Sequence, residues 1–241
     1  MSVPQSLTPF ISETLKAIAD DPNHEFGPLN RMKFVEQWSA LELPQGDLAY
    51  RFLNVLSAEK VIPIFETQPK FDWADNWYHS EMALRLTQIA KAVLTDEIPH
   101  SVGFNLATSN HYTIGNMDDV LPCNAYLALI AANTALLACS NQRPLTAEFE
   151  LLSKVSTVGT YEVDKHNNEI IKTPAEVVTG QHFTDLDWAQ HGSSDTAAAA
   201  AMAWSCDEQR CTPDSTKLLE FWTWWFTVAI SEAWQMAGYT T

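Results

Sequence analysis

Glycine is scarce in this chain, at 8 of 241 residues. That disfavours architectures built on glycine-rich loops and fits a mostly helical protein. Positive charge is scarce too: 14 Lys and Arg stand against 30 Asp and Glu, for a formal net charge of −16. Holding a phosphate backbone needs clustered Lys and Arg, so nucleic acid is disfavoured as a direct ligand. An anionic membrane surface is disfavoured for the same reason. The acidity keeps the protein soluble, and it would draw in a basic partner, faster at low salt.

Cysteine is limited to Cys123, Cys139, Cys206 and Cys211. The last two flank DEQR, with no second pair or nearby His to complete a zinc pattern. The N-terminus, MSVPQSLTPFISETL, has neither a basic n-region nor a long apolar run, so it does not read as a secretory signal. A cytoplasmic protein with reduced thiols is the simplest expectation. There is no GxSxG, HExxH, phosphate loop or GxGxxG, and the seven histidines are scattered. No catalytic residue, metal ligand or cofactor is assigned.

What is present is apolar patterning, with 46% hydrophobic residues, enough for a sizeable core. A first helix is predicted from Thr8-Pro9, with Thr8 as cap and Phe10, Ile11, Thr14, Leu15 and Ile18 at helical spacing. A second runs from about Pro28 to Leu41, with Phe34, Val35, Trp38 and Leu41 on one side. In GDLAYRFLNVLSAEKVIPIFE, Asp47 is the candidate cap. Leu48, Phe52, Val55, Leu56 and Ile62 form a stripe, and Pro63 kinks or ends the helix. DWADNWYHSEMALRLTQIAKAVLTDE reads as a long amphipathic helix carrying Trp77, Met82, Leu84, Leu86, Ile89, Val93 and Leu94. DDVLPCNAYLALIAANTALLACS is the most apolar segment; interrupted by Asn124 and Asn133, it reads as a buried central helix rather than a membrane span. STVGTYEVDKHNNEIIKTP breaks the helical pattern and predicts a small β-hairpin or extended loop near 157–172. SSDTAAAAAMAWSC then opens a further helix. The expectation is an all-α, single-domain bundle of about eight helices spanning residues 1–241.

The chain ends with LLEFWTWWFTVAISEAW, which packs four tryptophans into residues 218–234. On a regular α-helix, Leu218, Phe221, Trp222, Trp225, Val228, Ala229 and Ala233 share one face, and Thr223, Thr227 and Ser231 mark the other. Between Glu220 and Glu232 lie eleven residues, too few to cross a bilayer as a helix. No Lys or Arg lies inside the run to suit a membrane interface. Core packing is the expectation for Trp222 and Trp225. Trp224 falls toward the polar side, where an exposed tryptophan would be a candidate interface anchor.

One dense polar constellation remains. HFTDLDWAQHGSSDT holds His182, Asp185, Asp187, His191 and Asp195 within fourteen residues. The structural reading has Asp195 cap the alanine-rich helix and Asp187 order a loop. As a partner site, the carboxylates would meet a basic surface or a catalytic Arg, Lys or His. As an enzyme site, they would bind a divalent metal. SSDT resembles the Asp-Ala-Asp-Thr metal motif of ADP-ribosyl-glycohydrolases, with a serine where the first Asp is expected and without the surrounding glycines.

Several segments together resemble a known family. LSAEKVIPIFE, LTQIAKAVLTDE, AYLALIAANTALLAC, DLD followed by DTAAAAAMAW, and EFWTWWFTVAISEAW occur in the order seen in immunity family five, an all-helical family of bacterial polymorphic-toxin immunity proteins. The likeness covers most of the chain from about Phe52 to Trp234, with region 157–172 as an insertion. It implies a non-enzymatic, cytoplasmic protein that binds and neutralises the toxin domain delivered by sister cells. The toxin is expected to be basic, and no nucleic acid or membrane is expected as a partner. The candidate contacts are the aromatic anchors Trp188 and Trp224 with the acidic residues Asp118, Asp119, Asp185 and Asp187. The alternative is a metal-dependent hydrolase of the ADP-ribosyl-glycohydrolase type that reverses toxin modification.

Overall fold

The computed structural model describes residues 3–67, 81–115, 117, 121–141, 196–208 and 212–239, with two short strands between 161 and 171. The layout follows from one helix. In α6 (Cys123–Ser140) every residue from Ala125 to Ser140 except Leu137 is buried. A helix apolar on all sides has no face to give to water and must be enclosed. It is enclosed by α3 (Gly46–Glu66), α4 (Met82–Leu94), α5 (His100–Gly115) and α7 (Thr196–Ser205). Among the described helices it alone is long and apolar enough to cross a membrane, but 83% of that window is buried inside the fold. This is the buried central helix that its sequence predicts.

The remaining helices build outward from α3. α2 (Pro28–Ser39) and α9 (Ile230–Met236) pack on α3, while α1 (Thr8–Asp20) packs on α8 (Ser215–Trp224). One apolar cluster takes in residues from Leu7 to Ala237. The described residues are thus an all-α multi-helix fold, as expected. Among the described residues the one sheet has two strands: β1 (Tyr161–Val163) pairs antiparallel with β2 (Glu169–Ile171), Tyr161 opposite Ile171.

Local details depart from expectation. Thr8 does not cap α1; it is already helical, Leu7 holds the cap position, and Pro9 fits the first turn where no N–H is needed. Asp47 is likewise inside the first turn of α3, where a carboxylate suits the positive end of the helix dipole. Pro63 does not end α3, which runs on to Glu66. Pro63 is exposed and close to the C-terminus, so its missing N–H removes one bond on the wet side of an established helix. α5 was not expected as a helix at all. The upstream part of the expected fourth helix, with Trp77, lies outside the described residues, as does Asp195. Cys123 is disulfide-bonded, whereas Cys139 and Cys206 are free thiols, which corrects the expectation that all four are reduced.

The aromatic tail is core, with a change of phase. α8 leads through a five-residue π-helical segment, Trp225–Ala229, into α9. A π turn inserts one extra residue, which rotates everything after it by about 100° relative to a regular helix. Before the insertion the buried positions are Leu218, Phe221, Trp222 and Trp225; after it they are Phe226, Ala229, Ile230, Ala233, Trp234 and Ala237. Ala229 and Ala233 are buried as on a continuous α-helix, while Phe226, Ile230, Trp234 and Ala237 are buried one residue beyond the face that such a helix would bury. Val228, expected on the core face, is therefore 39% exposed.

The buried rings meet those of the N-terminal segments. Phe26 lies 5.1 Å from Trp222 and 5.2 Å from Phe226, and Phe34 lies 5.0 Å from Trp225. Trp38 stacks on Trp234 at 5.0 Å and donates through Nε1 to the Gly46 carbonyl at 2.9 Å. Trp225 Nε1 donates to Ser57 Oγ at 2.9 Å, and that hydroxyl donates to the Leu53 carbonyl at 2.7 Å. The polar handle of Trp225 is thereby satisfied inside the core.

Two predictions follow from this packing. Deleting Thr227 removes the extra residue and leaves a regular helix with the same buried side chains. Cooperative urea unfolding is expected to persist, with a loss of no more than about 2 kcal/mol. Deleting Thr223 misplaces either Leu218–Trp222 or Trp225–Phe226 and is expected to cost at least about 3 kcal/mol, the range of losing a buried tryptophan. Equal midpoints for the two deletions would refute the insertion. Separately, a Cβ on Gly103 would stand 2.2 Å from Ser140 Oγ and 2.9 Å from Val93 Cγ2. Gly103→Ala is expected to destabilise by about 1–3 kcal/mol, and Ser140→Ala in the same chain to recover only part of it, because Val93 remains. Thermal melts of the two single variants and the double variant check this.

Candidate functional site

Of the residues proposed from the sequence, Asp118, Asp119, Asp185, Asp187 and Trp188 lie outside the described residues. Trp224 is placed. It closes α8 just before the π segment and is half-buried, its ring 5.5 Å from Phe221. Its neighbour across the helix interface is Lys60 of α3, whose Nζ sits 5.0 Å from the Trp224 ring centre and 4.5 Å from that of Trp204 in α7. Three elements therefore meet here: α3 supplies a cation, and α7 and α8 each supply an indole.

The local sequence explains why these side chains surface together. α7 is TAAAAAMAWS, and its alanines let it lie close against α6 and α3. Every residue of α7 is buried except Trp204, the one large ring at the helix's exit. Lys60 is half-buried, so its stem is covered while its ammonium rests on ring faces. The adjacent Glu59 does not neutralise it, because Glu59 pairs with Lys91 of α4 at 2.5 Å. Lys60 makes no ion pair among the described residues. The quadrupoles of two indoles hold the charge instead, each contact worth about 0.5–1 kcal/mol at a partly wet site. The Trp204 Nε1–H is buried with no hydrogen-bond acceptor among the described residues.

Acidic residues lie close to these rings in sequence. Glu220 lies one turn before Trp224 on α8, and Asp207 and Glu208 follow Trp204; all three are exposed. The arrangement is an amphipathic spot, two flat rings and one cation, with exposed acids near it in sequence and the exposed Lys217 on the same helix as Trp224. Lys60 and Trp204 were not singled out from the sequence. The signal for Trp204 was available: a single large ring at the end of an alanine run has to leave the close-packed interface. The signal for Lys60 was not, since nothing local in AEKV shows which rings it will meet.

Nothing in the described part holds a metal: no group of three or more His, Cys, Asp or Glu residues gathers there. Among the described residues the one titration that departs clearly from its ordinary value is that of Cys206. Burial first, then the neighbouring Asp207 carboxylate, push its thiol up to about 11. A thiol so protonated at neutral pH is a poor nucleophile and acts as a small apolar side chain.

The chain matches no protein-family model and no curated protein. The likeness to immunity family five therefore rests on the quoted segments.

Lys60→Met keeps the stem and removes the charge. It is expected to lower stability by about 0.5–2 kcal/mol and to change tryptophan emission, because a cation leaves two indole faces. An unchanged emission spectrum and melting temperature would mean that the ammonium does not rest on the rings.

Proposed function

We propose that this protein is an immunity-type binding protein that captures and neutralises a cognate, basic bacterial toxin domain, with the Lys60–Trp204–Trp224 patch as its anchor. The observation that carries the reading is the pair of half-buried indoles held at the surface by a cation that no carboxylate among the described residues claims. Tryptophan is enriched at interface hot spots, and rings already fixed by packing lose little entropy on binding. The net charge of −16 supports a basic partner. The exposed Glu220, Asp207 and Glu208, close in sequence to Trp224 and Trp204, would steer it toward the rings. A cytoplasmic place of action and inhibition by covering a functional surface belong to the same reading, supported by the order of the family-like segments.

The test is co-expression of the tagged protein with the toxin domain encoded beside it, followed by co-purification and cell survival. The wild type is expected to rescue cells in a complex that resists high salt. Trp224→Ala is expected to weaken binding about thirtyfold or more, the scale of a hot-spot truncation, while the fold persists. Glu220→Lys is expected to slow association at low salt and leave dissociation unchanged. Rescue without a complex would replace binding with chemistry on the toxin's target, and undiminished binding by Trp224→Ala would move the interface elsewhere.

A further inference from the structure

We infer that Lys60 is the specificity-determining residue of the patch, and that it takes one Asp or Glu side chain from an otherwise basic partner. The inference rests on the binding reading and names what the centre of that surface accepts.

The Lys60 ammonium carries three N–H donors. Two ring faces lie within its reach, with the centre of Trp204 at 4.5 Å and that of Trp224 at 5.0 Å from Nζ. A ring face attracts the charge but accepts an N–H only weakly. Two faces and three donors leave at least one N–H for water in the free protein. The neighbouring Glu59 pairs with Lys91, and Lys60 has no ion pair among the described residues.

Docking changes what that donor needs. A partner lying over the two indoles removes water from Nζ, and an ammonium buried without an anion is strongly penalised. A neutral acceptor offsets part of this penalty. A carboxylate supplies the opposite charge as well, in a hydrogen bond about twice as strong as a neutral one. A cationic side chain at the same point meets like charge and is rejected. The rest of the partner surface remains basic, because the chain that it faces carries a net charge of −16.

The π segment adds an apolar flank. It turns Val228 outward to 39% exposure, four residues and about one turn beyond Trp224 on the same side of the helix. Beside it, Thr227 donates its hydroxyl proton to the Thr223 carbonyl at 2.6 Å, so that proton is held within the helix. Trp224 and Val228 thus form an apolar strip that starts at the ring under the cation. Once covered, such a strip keeps water from an ion pair at Lys60, and the lower local dielectric strengthens the pair.

The test is a double-mutant cycle on the complex with the toxin domain encoded beside this chain. Each Asp and Glu of that domain is changed in turn to Asn or Gln, and binding is measured against the wild type and Lys60→Met. One toxin carboxylate is expected to couple to Lys60 by about tenfold or more in Kd. Lys60→Met alone is expected to speed dissociation about thirtyfold, the scale of truncating one partner of a buried charge pair. Its association at low salt is expected to stay the same or to rise, since a positive charge has left an acidic protein. Val228→Asp, at an exposed position that the fold tolerates, is expected to speed dissociation by setting a second negative charge beside the incoming one. Coupling below about twofold at every toxin carboxylate, with Trp224→Ala still weakening the complex, would overturn this inference and leave the binding reading in place. Tighter binding by Lys60→Met would put an apolar group at the centre and overturn it as well. Absence of any complex with the wild type would remove both.

Discussion

α6 is buried along nearly its whole length, and an apolar helix in that position sets conditions for every neighbour. Its polar interruptions must be answered inside the fold, and Asn133 Nδ2 donates to the Ala107 carbonyl of α5 at 3.1 Å. Its neighbours must come close, and they do so through small residues: the alanines of α7 on one side and Gly103 of α5 beside Ser140 on another. With those faces taken, α3 becomes the outer surface of the central layer, long enough to touch α6 and α7 and still receive α9. The Trp225–Ser57 bond lies at that second junction. Without α3 the aromatic tail would lose the helix on which α9 packs and the Ser57 partner of Trp225.

The tail shows how a sequence can contain a signal that a regular template misses. A period of 3.6 residues extended through Ser231 places Val228 inward and leaves Phe226, Ile230 and Trp234 awkwardly to one side. Those three are large and apolar, while Glu232 and Gln235 near them are polar. A template with one extra residue after Trp225 satisfies all of them. The conflict was legible; what hid its meaning is that a one-residue insertion is rare and its position is set by tertiary contact, here with Phe26 and Phe34.

The other elements divide along similar lines. Strong amphipathic or apolar segments, such as α2, α4 and α6, were readable because burial repeats at helical spacing. α5 was not, because HSVGFNLATSNHYTIG is rich in Ser, Thr, Asn and His, mediocre helix formers, and its helix is held by contact with α6 rather than by its own pattern. Thr8 and Asp47 were misplaced by a residue or two, the usual uncertainty of helix ends. The site was barely legible. Trp224 could be singled out by phase, but Lys60 and Trp204 are far from it in sequence, and only helix packing unites them.

The charge arrangement at that site carries a consequence for recognition. In a chain with 30 acids and 14 bases, a lysine left to two indoles is an odd placement unless its charge is wanted. A uniformly acidic face would attract any cationic surface and would select poorly among them. A single cation between rings makes the centre of the patch unfavourable to a bare Lys or Arg, while the rim still attracts positive charge. On the binding reading, a suitable partner must bring a basic periphery and, at its centre, an acceptor or a flat apolar group. Charge at the rim then governs how fast partners meet, and the desolvated centre governs which ones stay.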